Sequence, residues 1–218
     1  EKASTNLALQ SEDFTTSWPI QNVSVVANVA VAPDGTTTMD RLVVGTSGGN
    51  VVRDVYQSRS IVSGTNYVTS VYLKDDGAGF GGLAFTYSGT SYISVVVDLS
   101  TGLVTDTDVG SAGGTIVASG CDDVGNGVYR VWISGSVVGT TGYIVPFLSN
   151  AAIPTWSEGR VKYTGVAGED ILIWGAQAEL GTYPTSYIAT TTTAVTRNAD
   201  VLIAGDMVTD AAGTAYAE

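Results

Sequence analysis

No stretch of this chain longer than a few residues holds the roughly 3.6-residue apolar period of a helix without a glycine or threonine breaking it. Two-residue alternation recurs instead. Residues 23–31 place Val23, Val25, Ala27, Val29 and Val31 on one side, and Pro33-Asp34-Gly35 stops the run with turn chemistry. Further alternating or apolar runs fall at 39–44, 51–60, 67–74, 83–87, 92–99, 115–119, 128–134, 142–148, 160–164 and 171–178, with Gly, Ser, Asn and Asp between them. Valine, threonine and glycine make up more than a third of the 218 residues. The first two suit a half-buried pleated surface and the third supplies turns. Short strands spaced about 8–15 residues apart predict an all-β fold, an antiparallel β-sandwich of the jelly-roll kind.

The residues that are missing narrow the chemistry. With no histidine, Ser-His-Asp and Cys-His nucleophilic pairs and histidine-ligated metals are excluded. A single cysteine excludes an internal disulfide, and Cys121, followed by Asp122-Asp123, has no neighbour that would lower its pKa, so it reads as a small inert hydrophobe. Nine Lys+Arg against 21 Asp+Glu, a net charge of −12, argue against nucleic acid as a partner. No run reaches the ~18 apolar residues of a membrane span, so membrane insertion is not expected. The chain opens on Glu1-Lys2, without methionine or an apolar signal core, which reads as a mature product or an excised piece.

Several segments then fall in a familiar order. Ser11-Glu12-Asp13-Phe14 with Trp18 is followed by Ala32-Pro33-Asp34-Gly35-Thr36, Ser70-Val71-Tyr72-Leu73-Lys74 and Asp98-Leu99-Ser100-Thr101-Gly102. After these come Asp123-Val124-Gly125-Asn126-Gly127-Val128-Tyr129-Arg130, Ile173-Trp174-Gly175-Ala176-Gln177-Ala178-Glu179, Pro184-Thr185-Ser186-Tyr187-Ile188 and Thr196-Arg197. Together they resemble the carbohydrate-binding-module-like, concanavalin-A-like jelly roll of bacteriophage tail, fibre and other virion-associated proteins. That pattern has a Trp where Val128 stands and a small polar residue where Trp132 stands. The resemblance implies a domain over 1–203, a poly- or oligosaccharide partner and a virion or extracellular location. Residues 204–218 read as a linker and the start of a following domain, because Gly213-Thr214-Ala215-Tyr216 resembles the opening strand of a second lectin-like domain.

Alternation assigns sides to the candidate site. In 67–74 the inward set is Tyr67, Thr69, Val71 and Leu73, leaving Val68, Ser70, Tyr72 and Lys74 outward; in 128–134 Tyr129, Val131 and Ile133 point in, and Arg130, Trp132 and Ser134 out. Sugar recognition sets an aromatic ring against the apolar face of a pyranose and fixes the hydroxyls with planar donors. Tyr72, Lys74, Arg130 and Trp132 are therefore expected to form an open glycan platform. Tyr87, Tyr92 and the loop residue Trp156 could extend it, and Gln177 could hydrogen-bond a ligand; packing roles are the alternative for each. Trp18 and Trp174 are assigned to the core or its rim.

The modules that the chain resembles often carry a structural Ca²⁺, for which oxygen ligands suit. Asp106 and Asp108, placed in a loop, and Asp122 and Asp123 are the first candidates, with Asp75-Asp76 and Glu12-Asp13 behind them. No cofactor is otherwise required. The reading is of a non-catalytic module, with a ligand-free virion domain as the alternative. A glycosidase would need an acid/base pair such as Glu158 with Glu169, or Glu12 with Glu179, and a lyase would need Tyr with Arg or Lys.

Overall fold

A computed structural model of the chain describes residues 1–45 and 49–200. Its strands, in order, are β1 (Ser4–Asn6), β2 (Ile20–Gln21), β3 (Ser24–Ala30), β4 (Met39–Val43), β5 (Asn50–Val52), β6 (Asp54–Val55), β7 (Gln57–Ser60), β8 (Tyr67–Asp76) and β9 (Phe80–Ser88). There follow β10 (Ser91–Asp98), β11 (Leu103–Val109), β12 (Thr115–Asp123), β13 (Val128–Ser136), β14 (Thr141–Ser149), β15 (Trp156–Ser157), β16 (Arg160–Thr164), β17 (Asp170–Leu180) and β18 (Val195–Arg197). None of the described residues is helical, so no helix is long enough to cross a membrane. The proposed linker at 204–218 lies outside the described residues.

Two large sheets stack. A seven-stranded sheet runs β11-β10-β9-β14-β6-β2, with β7 also paired to β14, and a six-stranded sheet runs β12-β13-β8-β17-β4-β3. Their named ladders are all antiparallel. This is the antiparallel β-sandwich that the alternation predicts.

Between the sheets lies one continuous core. Val71, Leu73, Val131, Ile133, Ile171 and Ile173 from the six-stranded sheet meet Leu83, Phe85, Ile93, Val95, Val97 and Ile144 from the other. Each fully buried side chain of this size contributes about 1.5–3 kcal/mol. The inward sets read from 67–74 and 128–134 therefore face the core as expected.

Two details depart from the sequence reading. Residues 51–60 do not form one strand but break into β5, β6 and β7. Residues 103–109, assigned above to a loop, form β11 on the edge of the seven-stranded sheet; Asp106 and Asp108 there accept hydrogen bonds from Trp156 and Tyr92 across the sheet face, which offsets the weak strand preference of Asp.

Strand β17 carries a bulge. Trp174 pairs with Tyr72, but the next partner across the ladder, Ser70, faces Gln177. The extra residue is absorbed at Gly175, whose φ of 64° suits glycine and where a Cβ would lie 2.7 Å from the Tyr72 ring. The shift keeps Ala176 and Ala178 in the core and turns Gln177 and Glu179 to the opposite face.

Candidate functional site

The outer face of the six-stranded sheet collects the residues that sequence reasoning favoured. Tyr72, Arg130 and Trp132 do share that face, but it is not open: they are only 7 %, 8 % and 8 % exposed. Residues 181–191 run back across the sheet and cover them. Tyr183 sits on Trp132 with ring centroids 5.5 Å apart, and Tyr187 packs on Trp174 at 4.6 Å and on Tyr72 at 5.9 Å. Arg130 lies over the Tyr72 ring, donates from Nη1 to the Thr185 carbonyl at 2.7 Å and from Nε and Nη2 to Ser70 Oγ. The indole of Trp132 donates to Asp122 Oδ2 at 3.1 Å. With Ala32, Met39, Val128 and Leu172, Tyr72 and Trp174 make a second apolar cluster outside the sandwich. The expected shelf is thus a covered layer: the two-residue period gives the side, and a chain segment far along the sequence removes the solvent.

The polar half of this layer is satisfied internally. Glu179, fully buried, accepts hydrogen bonds from Ser4 Oγ, Gln177 Nε2, Thr185 N and Thr185 Oγ1. Gln177 is equally buried, and its Oε1 accepts the Ile188 N–H at 2.8 Å. Neither is available to a ligand. Lys74, half-buried, donates to the Asn126 carbonyl at 2.8 Å. Burial pushes the Tyr72 and Tyr187 hydroxyls up.

The metal candidates are likewise engaged. Asp106 Oδ2 accepts Trp156 Nε1 at 2.9 Å and Asp108 Oδ2 accepts the Tyr92 hydroxyl at 3.0 Å. Asp122 holds Trp132, and Asp123 caps the turn at Gly125. Asp75 accepts the Gly77 and Gly79 N–H groups, Asp76 pairs with Arg41, Glu12 accepts the Tyr187 hydroxyl and Asp13 closes a turn with Thr15. Among the described residues no group of three or more His, Cys, Asp or Glu side chains converges. Cys121 is half-buried, and burial with the adjacent Asp122 and Asp123 pushes its thiol up to about 12.

An open groove lined by aromatic rings lies on the other sheet. Register places Ser58, Tyr143, Thr86 and Tyr92 in one row across the outer face of the seven-stranded sheet, and Gln21, Asp54 and Phe147 in another. A small sheet, β15-β16-β5, lies over part of this face. Trp156 packs edge-on against Phe147, centroids 6.1 Å apart, and is anchored on Asp106. It is a plug over that end of the sheet. The β15–β16 connection is a two-residue turn with Ser157 opposite Arg160. Glu158 and Gly159 have φ of 56° and 75°, the pair of positive values that a type I′ hairpin needs. Gly159 lies so close over the Tyr92 ring that a Cβ would come within 2.7 Å. Tyr92 is therefore floor beneath the turn.

Beside that turn the face stays open as a groove of about 310 Å³, lined by Tyr56, Tyr87, Tyr143, Glu158, Arg160 and Gln21, with Thr86, Ser88, Gly89 and Val145 completing it. Tyr56 and Tyr143 meet edge to face, 6.2 Å apart, while Tyr87 is 43 % exposed. Arg160 donates from Nη1 to Gln21 Oε1 at 2.8 Å; its other terminal nitrogen lies 3.8 Å from Glu158 Oε2. Glu158 reaches back over Gly89, where a Cβ would lie 2.8 Å from its carboxyl carbon. The groove thus combines ring faces with planar donors and acceptors.

Of the residues expected in a ligand site, Tyr87 lines this groove. Sequence reasoning missed Gln21, Tyr56, Tyr143 and Arg160. A signal existed for some of them: Glu158-Gly159 between Trp156-Ser157 and Arg160-Val161 is a two-residue hairpin pattern, and Tyr143 alternates with the inward Ile144. The proposed acid pairs are not assembled in the groove. Glu169 accepts the Val166 N–H, Glu12 lies by Tyr187, and Glu179 is sealed.

No protein-family model matches this chain, and no curated protein matches it by sequence. Among solved structures, it is similar to the enzymatically active domain of bacteriophage CBA120 tailspike protein 4 (15% identity, TM-score 0.45, covering 80% of this chain and 21% of that one). It is also similar to a Clostridium thermocellum endo-1,4-beta-D-xylanase 10B fragment holding a CBM22-1 and a GH10 module, complexed with xylohexaose (13% identity, TM-score 0.44, covering 87% of this chain and 30% of that one). A third is the mannan-recognising carbohydrate-binding module TmCBM27 (9% identity, TM-score 0.31, covering 84% of this chain and 100% of that one). The chain spans less than a third of the length of the first two.

Proposed function

We propose that this chain is a non-catalytic glycan-binding module whose ligand lies in the groove of Tyr56, Tyr87 and Tyr143, and not on the covered face of Tyr72, Arg130 and Trp132. The observation that carries the reading is the groove's mixed lining. Partly exposed tyrosine rings stand within one cleft with Gln21, Glu158 and Arg160. Rings take the apolar face of a pyranose, and fixed polar groups read its hydroxyls. The groove is lined by one carboxylate, Glu158, whereas two-carboxylate glycoside hydrolysis needs a pair about 5–9.5 Å apart, which favours binding over cleavage. Local charge favours a neutral sugar: Arg160, the cation in the lining, is flanked by Asp54 and Glu158, and the chain carries −12 overall.

The sequence resemblance supports reading it as a module of a phage tail, receptor-binding or polysaccharide-processing protein, on a virion or outside the cell, joined to further domains of the same polypeptide. Affinity electrophoresis against neutral and acidic polysaccharides tests the reading. Retardation of the wild-type chain, lost in Tyr143→Ala and kept in Trp132→Ala, supports it. No retardation by any polymer of a broad panel overturns it in favour of a ligand-free structural domain. Release of reducing ends would reveal a hydrolase.

A further inference from the structure

The guanidinium on the groove wall has a carboxylate behind it that no hydrogen bond satisfies. Asp54 on β6 is fully buried, and neither of its oxygens accepts a hydrogen bond from a protein group. Its ion-pair partner among the described residues is Arg160, with Nη1 at 3.6 Å from Oδ2. That same Nη1 donates to Gln21 Oε1 at 2.8 Å, so the better contact goes to the amide and the longer one to the charge. The other groups around Asp54 cannot take over. On β2 the facing side chain is the neutral Gln21, and on β14 it is Phe147. Arg53, next along the chain, donates to the Val51 and Tyr163 carbonyls and lies over the Tyr163 ring. Glu158, from the β15–β16 turn, stands on the far side of the Arg160 guanidinium.

An ionised carboxylate so placed leaves water without gaining the donors that normally repay the loss. Either a proton or the guanidinium must meet it. We propose that Asp54 is a proton switch for Arg160: ionised, it draws the guanidinium back against the sheet, and protonated, it releases the guanidinium into the groove. Burial pushes the Asp54 carboxyl up to about 7, against the lowering pull of Arg160. The switch is a property of the free protein; its consequence for ligand binding rests on the glycan reading above. A sugar that accepts a hydrogen bond from Arg160 competes with Asp54 for it, raises the Asp54 pKa and takes up a proton on binding. By reciprocity, affinity rises as pH falls through the neutral range. A rise of one pKa unit on binding limits the change to about tenfold.

The test is a titration of the full chain from about pH 5 to pH 9, which brackets the raised carboxyl range, following the Asp54 carboxyl carbon and the Arg160 Nε–H by NMR. An Asp54 midpoint near neutrality, with Arg160 moving at the same midpoint and staying flat in Asp54→Asn, is the expected result. An Asp54 midpoint in the ordinary carboxylate range overturns the switch and needs no variant to be read. So does an Arg160 transition that persists in Asp54→Asn. Calorimetry with xylohexaose, mannohexaose and cellohexaose at both ends of the range adds the coupling. Tighter binding and proton uptake at the acidic end support it, and equal affinity at both ends overturns it. If the broad polysaccharide panel yields no ligand, the glycan reading fails while the NMR titration still decides the switch.

Discussion

The two outer faces of the sandwich start from the same kind of material and end differently. Each gathers aromatic rings, an arginine and a side-chain amide, Arg130 coming from the six-stranded sheet itself and Arg160 from the small sheet that lies over the other. On the six-stranded sheet, residues 181–191 fold back so that Tyr183, Thr185 and Tyr187 meet Trp132, Arg130 and Tyr72, and every strong donor there is spent within the chain. On the seven-stranded sheet the covering piece is a short hairpin that stops part-way. It leaves Tyr143, Tyr87 and Arg160 beside solvent. The same kinds of side chain are therefore glue on one face and the lining of an open groove on the other, and the difference lies in how far the covering segment extends. What decides it is tertiary contact at long range, not the composition of the strand.

The largest effect should come from unfastening the covered face. Glu179 accepts from Ser4, Gln177 and Thr185, tying β1 and the covering segment to β17. Glu179→Ala leaves the Ser4 hydroxyl and the Thr185 N–H without an acceptor, and Gln177 Nε2 and Thr185 Oγ1 with only contacts of 3.4–3.5 Å to Thr185 and Ser186; it should cost about 4 kcal/mol of stability. Urea unfolding would show this as a lowered midpoint. If the variant unfolds like the wild type, the covering segment is not fastened there and the contrast between the faces weakens.

Next comes the buried acid behind the open face. The Asp54 carboxyl is raised to about 7 in the fold, against an unfolded value of about 3.9. Between those values the native state holds a proton that the unfolded chain has lost, so stability falls as pH rises. Asp54→Asn removes that slope. The variant should gain on the wild type across this window, by as much as about 4 kcal/mol near neutrality. Denaturant midpoints measured at several pH values would give the two slopes directly, and parallel slopes would mean that Asp54 is ionised throughout.

These contrasts mark where sequence reasoning ran out. Alternation was enough for the sandwich, for the inward sets of 67–74 and 128–134, and for the side on which Arg130 and Trp132 emerge, because pleating is a local property. It could not tell that Tyr183 would land on Trp132, some fifty residues on, since periodicity carries no information about what packs over a face. Asp106 and Asp108 show the same limit. Their spacing resembles a metal loop, yet β11 pairs with β10 and turns both carboxylates toward Trp156 and Tyr92. The groove was harder still. Gln21, Tyr87 and Tyr143 come from separate strands, Tyr56 from the break between β6 and β7, and Arg160 from β16 of the small sheet, so only the tertiary fold brings them together.

On the open face itself, Tyr143→Ala should weaken binding of whichever neutral oligosaccharide the groove takes by about tenfold, the equivalent of one lost ring contact of about 1.4 kcal/mol. Tyr143 also packs against Tyr56, so the melting temperature of the variant needs to be followed with its affinity. A loss of affinity at unchanged stability locates the ligand on this ring. A loss of stability alone returns Tyr143 to a packing role and makes the two faces alike.

The smallest effect is the most discriminating. Glu158 occupies the first central position of the β15–β16 turn at a φ of 56°, where a side chain costs about 1–2 kcal/mol that glycine does not. Strain kept at one residue is a reason to ask what that residue does. Here it projects a carboxylate, 63 % exposed, over the groove rim beside Arg160. Glu158→Gly relieves the strain and completes a Gly-Gly turn, so it should raise stability by about 1 kcal/mol and the melting temperature with it. The same change should weaken ligand binding, because an acceptor for sugar hydroxyls is gone. Stability and affinity moving in opposite directions is the signature of a residue retained for recognition. If both rise, Glu158 merely crowds the groove, and recognition rests on Arg160 and the rings.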